Sequence, residues 1–425
     1  METSGDSSKS PTSEFPKIIS VDDHVLEPPN VWQDRLPKKY LDIGPRVERL
    51  PVKRLDLDGG TARFFPGQKG DEGDLADWWR YEDLCKAMTR QNGASGHPRE
   101  DLTRTAVTYD WYRPGCYQVK ERLEDMDQNW TEASLCFGNI IRFCGQTFLE
   151  AKDRELALLC VKAYNDWMIE EWCADSGGRL IPLTIIPLWD PHLAADEVRR
   201  NAARGCRAVC FSENPAELNL PSMHDPDQYW DPFFAACEET ETVINMHIGS
   251  ASKLHTTSKD APAAVFVILD FCGTAEALTD WLTCGAFVRF PDLKIALSEG
   301  QIGWIPYVLE RADNVFHENL AWAGIEDTLP VPPSELYRGR VYGCMFADEA
   351  GLRLIDKVGE DQVTFEIDYP HAASTWPNSR KILEHQTRHL TDEQVYKVTR
   401  GNAIRMLSLD FDADRPTVSA AAGGS

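Results

Sequence analysis

The sequence has no cysteine pattern that indicates a disulfide framework or a structural zinc site. Its 12 cysteines are scattered, no two of them form a CxxC pair, and several lie in apolar runs such as ASLCF at 133–137 and AVCF at 208–211. This distribution excludes the small disulfide-rich scaffolds and the zinc ribbons. Free thiols in apolar runs are typical of a reducing compartment, so we expect a cytoplasmic protein.

Long apolar runs and an excess of positive charge are also missing. No run approaches the roughly 20 residues that span a bilayer, and residues 1–16 lack the apolar core of a signal peptide. The chain has 44 basic and 68 acidic residues, which gives a net charge of -24. Such an acidic protein is not expected to bind nucleic acid or an anionic membrane. We therefore expect a small-molecule substrate.

Short apolar runs alternate with helix-like segments along the 425 residues. Most of the runs are continuous, as is typical of parallel strands that are buried on both faces. Helical periodicity is clearest at 151–174, 192–204 and 231–240. This alternation predicts an α/β protein with a (β/α)8 TIM barrel. The eight predicted strands are 17–23, 133–137, 180–187, 207–213, 243–249, 294–300, 341–346 and 363–370.

The first two predicted strands are unusually far apart. Roughly 100 residues separate them, whereas connections in compact domains are usually short. We predict a metal-dependent barrel domain at 17–409, with a large insertion between the first and second strands, at about 37–130, that covers the catalytic end of the barrel. The polar or small-residue segments 1–16 and 410–425 are predicted to be disordered tails.

Acidic residues and histidines stand where several predicted strands end. TIM-barrel active sites lie at this end of the strands, and residues two apart in a strand share a face. The first strand therefore presents Asp22 and His24 together, with Asp23 directed away. Because these side chains are the usual ligands of divalent metals, the pattern predicts a metal site. The other candidates are Glu213, His247, Glu299 and the pair Asp368 and His371, at the fourth, fifth, sixth and eighth strands.

Five stretches that contain or flank these residues are similar to a known family. They are DDHVLEPPNVW (22–32), NMHIG (245–249), SEGQIGWIPYVLERAD (298–313), DYPHAASTWP (368–377) and GNAIRML (401–407). In these stretches the chain resembles the amidohydrolase superfamily. Within it, the chain resembles amidohydrolase-related family 2, which includes 2-amino-3-carboxymuconate semialdehyde decarboxylase and aromatic-acid decarboxylases.

The resemblance implies a metal-dependent enzyme that hydrolyses or decarboxylates a small carboxylic substrate. Carried over by position, the implied metal ligands are Asp22, His24, His247 and Asp368, and Asp368 also serves in proton transfer. The metal would activate water or hold the substrate carboxylate. The resemblance further implies a homo- or hetero-oligomer.

The sequence departs from the family pattern at two strand ends. The first pair is Asp-x-His, where many relatives have His-x-His or Glu-x-His. At the sixth strand, decarboxylases of the family typically place a catalytic histidine, and this chain has Glu299. In a decarboxylase of this kind, another residue would therefore have to donate the proton. His371 and His317 are the candidates.

The site residues allow three interpretations. In the first, one zinc or similar ion binds, and Glu299, His371 and Asp368 act in catalysis. In the second, Glu213, Glu299 and His371 are additional metal ligands, and two iron or manganese ions bind. That pattern resembles the O2-dependent dinuclear iron or iron–manganese monooxygenases of the superfamily. In the third, the chain is a catalytically silent partner subunit.

Three further side chains are predicted to bind the substrate. Arg142 follows the second strand and can fix a carboxylate through paired hydrogen bonds. Trp304 offers an aromatic surface, and His317 offers a ring nitrogen.

Overall fold

The computed structural model describes residues 14–58 and 61–411. The tails predicted at 1–16 and 410–425 lie outside these ranges, apart from 14–16 and 410–411. Twelve strands are present in the described part. They are β1 (Ile18–Val25), β2 (Arg46–Asp58), β3 (Thr61–Pro66), β4 (Leu75–Tyr81), β5 (Leu84–Ala87), β6 (Thr131–Gly138), β7 (Leu180–Ile181), β8 (Ala208–Phe211), β9 (Val243–His247), β10 (Ile295–Ser298), β11 (Val341–Met345) and β12 (Val363–Phe365).

All eight predicted strands are confirmed, and they pair in parallel. Regular pairing gives one sheet in the order β1-β6-β7 and a second in the order β8-β9-β10-β11-β12. A single parallel bridge between Thr184 and Val209 joins the two sheets on one side. On the other side, the Asp368 N–H donates to the Asp22 carbonyl oxygen at 2.9 Å, and the His24 N–H donates to the Tyr369 carbonyl oxygen at 2.6 Å. The carboxyl ends of β1 and β12 therefore meet.

Helices connect the parallel strands, and the three predicted ones are present. Within the described ranges, no helix combines the length and apolar character that crossing a bilayer requires. The helices are α1 (Val119–Gln128), α2 (Gln146–Leu149), α3 (Arg154–Trp167), α4 (Pro191–Ala202), α5 (Asp231–Glu239), α6 (Ala263–Leu269), α7 (Phe271–Thr283), α8 (Ala286–Arg289), α9 (Ile305–Ala323), α10 (Pro333–Tyr337), α11 (Glu349–Arg353), α12 (Ile355–Val358), α13 (Ser379–Gln386), α14 (Asp392–Tyr396) and α15 (Asn402–Leu407).

The segment between β1 and α1 forms a separate antiparallel sheet in the order β3-β2-β4-β5. The residues between this sheet and α1 contact the chain just beyond the strand ends of the barrel. The Tyr109 hydroxyl donates to the Glu27 carbonyl oxygen at 2.7 Å, and the Ser95 N–H donates to the Pro370 carbonyl oxygen at 2.9 Å.

Strand β1 carries ionisable groups into the interior of the protein. All eight of its residues are buried, including Asp22, Asp23 and His24. Burial of a charge is costly unless the group is paired or coordinates a metal. The partners of these three side chains therefore determine what the barrel can hold.

Candidate metal centre

Two histidines and two carboxylates converge at the carboxyl ends of β1, β9 and β12. The His24 Nε2 atom lies 3.5 Å from Asp22 Oδ1 and 3.3 Å from Asp368 Oδ1. The His247 Nε2 atom lies 3.5 Å from Asp22 Oδ2 and 3.3 Å from His24 Nε2. The structure therefore brings together the four side chains that the resemblance implies as ligands.

The backbone orients His247 toward this cluster. His247 is the last residue of β9, and its Nδ1 atom lies 2.7 Å from the Ile248 carbonyl oxygen. Nδ1 therefore carries the proton, and the lone pair of Nε2 faces Asp22. A metal-binding histidine is typically fixed in this way by a hydrogen bond from its other ring nitrogen. Phe143 stacks on the His247 ring with a centroid separation of 4.0 Å.

Two residues follow at the next strand ends. Glu299 comes directly after β10, and its Oε1 atom lies 3.7 Å from His247 Nε2. His371 stacks on the His24 ring with a centroid separation of 3.7 Å, and its Nδ1 atom lies 3.1 Å from Asp368 Oδ1. Glu299 and Asp368 have φ angles of 58° and 56°. These left-handed conformations are uncommon outside glycine and often occur at functional sites.

The environment moves the pKa values of the two acids Glu299 and Asp368 in opposite directions. Burial, followed by the charges of Asp368 and Asp22, raises the pKa of Glu299 well above its usual value. Burial also raises the pKa of Asp368, but the His371 and His24 imidazoles outweigh it and hold that pKa below its usual range. Glu299 therefore tends to keep its proton, whereas Asp368 is ionised.

The ligand groups fit a divalent metal ion. Burial lowers the pKa of His247 to about 4 and that of His24 well below its usual value, so both rings are neutral, as metal binding requires. Apart from the imidazole contacts given above, neither carboxylate oxygen of Asp22 or of Asp368 has a hydrogen-bond partner among the described residues. A cation between the imidazoles and these carboxylates would satisfy all of them.

A cavity of about 230 Å³ opens beside the cluster. His247, Glu299 and His371 line its inner end, and much of the remaining wall is apolar. The wall includes Phe143, Leu254, Phe266, His255 and Glu213.

Glu213 was predicted as a further metal ligand, but the structure places it in the cavity wall. Its Oε1 atom accepts from the Thr274 hydroxyl at 2.9 Å, and its Oε2 atom accepts from the Gly249 N–H at 3.0 Å. Burial raises the pKa of Glu213 to about 8. Both oxygens therefore have protein partners, and Glu213 does not join the ligand cluster.

The structure does not bring the three predicted substrate-binding side chains into the cavity wall. Arg142 donates to Glu150 Oε1 and to the Ser252 hydroxyl, both at 2.5 Å. The Trp304 indole N–H donates to the Gly300 carbonyl oxygen at 2.6 Å. His317 is exposed on α9. Of the two candidate replacements for the family histidine, His371 alone lies in the cluster.

Two residues of the centre were missed in the sequence. Glu366 is fully buried, and its Oε2 atom accepts from the Glu299 N–H at 3.0 Å and from the Cys344 thiol. Glu366 stands two residues before Asp368, so the rule that joined Asp22 to His24 would have found it. No sequence pattern singled out Cys344.

Known proteins show the same fold. The solved amidohydrolase from Mycobacterium avium subsp. paratuberculosis K-10 is 19% identical, covers 94% of this chain and 100% of its own, and has a TM-score of 0.69. The 5-carboxyvanillate decarboxylase of Novosphingobium aromaticivorans, solved with bound manganese, is 18% identical over 69% of this chain and 82% of its own, with a TM-score of 0.55. These likenesses confirm the TIM-barrel α/β fold.

A curated relative is similar in sequence. The gamma-resorcylate decarboxylase of Rhizobium sp. (strain MTP-10005) is 26% identical over 274 residues, which are 61% of this chain and 79% of that protein. This relative supports the predicted enzyme class, a metal-dependent hydrolase or carboxy-lyase. Neither it nor the two structures named above is a monooxygenase, so the comparisons lend that alternative no support.

The family assignment rests on a match over most of the chain. A family model described as Amidohydrolase matches residues 64–409. This range includes His247, Glu299, Asp368 and His371, and β1 supplies the remaining candidate ligands, Asp22 and His24. The chain therefore belongs to the amidohydrolase family.

Proposed function

We propose that this protein is a divalent-metal-dependent decarboxylase of small aromatic carboxylic acids. The observation that carries the proposal is the position of two acids beside the histidines of the centre: Asp368 Oδ1 lies 3.3 Å from His24 Nε2, and Glu299 Oε1, at a largely apolar cavity, lies 3.7 Å from His247 Nε2. The environment raises the pKa of Glu299 and lowers that of Asp368. Neighbouring acids whose pKa values are driven apart are typical of acid–base catalysis. The gamma-resorcylate and 5-carboxyvanillate decarboxylases, which act on aromatic carboxylates, support the substrate class.

Asp22, His24, His247 and Asp368 would hold the metal ion. When bound, the ion supplies a positive charge that fixes the substrate carboxylate and a neighbouring oxygen. Manganese is a candidate because the related 5-carboxyvanillate decarboxylase was solved with it. Zinc and iron suit the same ligand set.

Decarboxylation replaces a carboxylate by a proton, so the site needs a proton donor. Glu299 fills this role because burial and the neighbouring charges of Asp368 and Asp22 raise its pKa and so favour the protonated carboxyl. It faces the cavity at the strand end where the family pattern has a histidine. His371, 3.1 Å from Asp368, keeps that carboxylate oriented and ionised.

The cavity wall would hold the ring of the substrate. Phe143, Leu254 and Phe266 provide apolar surface, and a volume of about 230 Å³ suits one substituted ring better than an extended ligand. The wall also excludes water from the reacting carbon, which strengthens the electrostatic interactions within the site. We further propose that the antiparallel sheet between β1 and α1 is an insertion that covers this end of the barrel.

The test is product formation by the metal-loaded protein. The purified chain, loaded with manganese or zinc, is incubated with gamma-resorcylate and with 5-carboxyvanillate, and the release of carbon dioxide and loss of substrate are followed. We expect turnover of at least one acid, abolished in His247→Ala and retained in the surface variant His317→Ala. Full metal loading without decarboxylation of any benzoate in a wider panel would overturn the proposal. Oxygen uptake by the reduced iron form would instead favour the monooxygenase alternative.

A further inference from the structure

A second group of possible metal ligands shares one residue with the first. It consists of Asp22 on β1, Cys344 on β11 and Glu366 just after β12. All three are buried, with exposures of 0%, 2% and 0%. Asp22 belongs to both groups, and its carboxylate has two oxygens with which it can bridge two ions.

Several polar atoms of this second group lack a hydrogen-bond partner. Glu366 Oε2 accepts from the Cys344 thiol and the Glu299 N–H. Glu366 Oε1 has no hydrogen-bond partner anywhere in the described chain, and the same holds for both Asp22 oxygens. A buried carboxylate oxygen without a hydrogen-bond partner destabilises the folded protein, because it has lost its hydration and gained nothing in return. A cation would remove this destabilisation at both side chains.

The separations suit a metal ion. One ligand atom from each of the three residues lies within 4.8 Å of the other two. A metal with bonds of about 2.3 Å to sulfur and 2.0–2.2 Å to oxygen fits between such atoms after small side-chain rotations. Thiolate combined with carboxylate suits zinc, cobalt or iron and is a poor site for magnesium or calcium.

The first ion alone would leave one acidic side chain of the centre without a cation. Four carboxylates cluster here, on Asp22, Glu299, Glu366 and Asp368, and three of them are essentially fully buried. The proposed first ion contacts Asp22 and Asp368, which leaves the Oε1 atom of Glu366 without a partner among the described residues. The nearest buried guanidinium, on Arg122, donates to the His24 and Gly115 carbonyl oxygens and faces Asp23. It is therefore directed away from the four carboxylates.

We propose that the barrel holds a second divalent ion, bound by Cys344 and Glu366 and bridged through Asp22 to the ion on His24 and His247. The proposal rests on the proposed first metal site and assigns ligand roles to two residues outside it. The second ion would neutralise Glu366, whose oxygen holds the Glu299 backbone, and so would fix the turn that presents the Glu299 carboxyl to the cavity. Cys344 and Glu366 would touch metal and not substrate.

The test uses cobalt as the probe, because a cobalt–thiolate bond absorbs in the near ultraviolet. The full chain is stripped of metal with a chelator, titrated with cobalt(II), and followed by absorption, while bound metal per chain is counted by elemental analysis. We expect two cobalt ions per chain and a thiolate charge-transfer band. In Cys344→Ser the band should disappear and one ion should remain. The matched control Cys237→Ser removes another fully buried thiol, on α5, and should keep the band and both ions.

The variant Glu366→Gln gives an independent readout if Cys344→Ser fails to fold. It should keep one ion and lose the second. A folded wild-type chain that binds a single cobalt ion without a thiolate band would overturn the proposal, whatever the variants do. This result is distinct from failure of the proposed function: decarboxylation by a one-ion protein would leave that function intact, and two ions without decarboxylation would remove it.

Discussion

The Nε2 atoms of His24 and His247 lie 3.3 Å apart inside the barrel, and each is 3.5 Å from an oxygen of Asp22. Because Nδ1 of His247 bonds the Ile248 carbonyl, its Nε2 presents a lone pair to the other ring. Two imidazole nitrogens and a carboxylate at these separations can share one metal ion. Replacing one of these two histidines is therefore the most informative test of the metal centre.

The first prediction concerns His247→Ala. Loss of a direct ligand should weaken binding of the first metal ion by more than the roughly 10- to 100-fold seen when an outer hydrogen-bond partner of a ligand is lost. The measurement is the dissociation constant for manganese or zinc, by competition with a coloured chelator. Phe143→Leu, which alters the ring stacked on His247 and leaves the ligands intact, should change the constant far less. Unchanged affinity in His247→Ala would refute the ligand assignment.

The second prediction is that metal binding releases protons. Burial, together with the charges of Glu366 and Asp368, raises the pKa of Asp22 well above its usual value in the metal-free protein. The carboxyl therefore holds its proton to higher pH than an ordinary aspartate and must lose it to bind metal. The neutral histidines contribute no protons. Affinity should therefore rise with pH until the raised pKa of Asp22 is passed, by up to about tenfold per pH unit for each proton released. Calorimetry in buffers of different ionisation enthalpy counts those protons, and a pH-independent affinity would contradict the prediction.

The third prediction concerns Glu299→Gln. If Glu299 donates the proton, the amide should lower kcat by about 100- to 10,000-fold and leave bound metal unchanged. Glu276→Gln, at the cavity wall where it pairs with Lys253 and His255, is the matched control and should retain most activity. A fall in metal content alongside kcat would instead identify Glu299 as a ligand. Activity within tenfold of wild type would exclude it as the donor.

The sequence predicted the barrel strands well and the remaining sheet poorly, for a physical reason. Strands buried on both faces are continuous apolar runs, and all eight were found. Strand β2, RVERLPVKRLDLD, is largely exposed, rich in charge and contains Pro51. A proline within a run argues against a central strand. Only the pairing of β2 with β3 and β4 reveals the sheet.

The site was predictable where local periodicity positions the side chain. Asp22 and His24 share a face because they are two residues apart, and Asp23, as predicted, turns to other partners: the Ser20 and Ser134 hydroxyls and the Tyr369 N–H. The position of Glu213 depends instead on Thr274, 61 residues away. A partner so distant in the sequence does not affect the local residue pattern. Only the structure therefore shows that Glu213 lies in the cavity wall.

The fourth prediction concerns Arg122→Met. The Arg122 guanidinium is buried, donates to the His24 carbonyl oxygen at 2.5 Å and to the Gly115 carbonyl oxygen at 2.7 Å, and opposes the buried Asp23. Its loss leaves Asp23 without a cation and should lower the free energy of unfolding by about 3–5 kcal/mol. The exposed ion-pair variant Arg353→Met should cost less than about 1 kcal/mol. Urea unfolding measures the free energy of unfolding of both variants. Equal losses would show that the buried Arg122 stabilises the protein no more than an exposed ion pair does.

The fifth prediction concerns the pH dependence of stability at Glu27. Its buried carboxylate accepts from the N–H groups of Asn139, Ile140 and Ile141, yet burial outweighs these bonds and raises its pKa from 4.5 to about 7. Below 4.5 the carboxyl is protonated in both the folded and the unfolded chain, and above about 7 it is ionised in both.

Between these values the folded chain retains a proton that the unfolded chain has lost, so the contribution of Glu27 to the free energy of unfolding falls as pH rises. The total fall is about 3 kcal/mol. Urea unfolding at a series of pH values should show this slope in wild type and not in Glu27→Gln, which has no ionisable group there. Parallel profiles for the two proteins would mean that the backbone donors hold Glu27 ionised across the range.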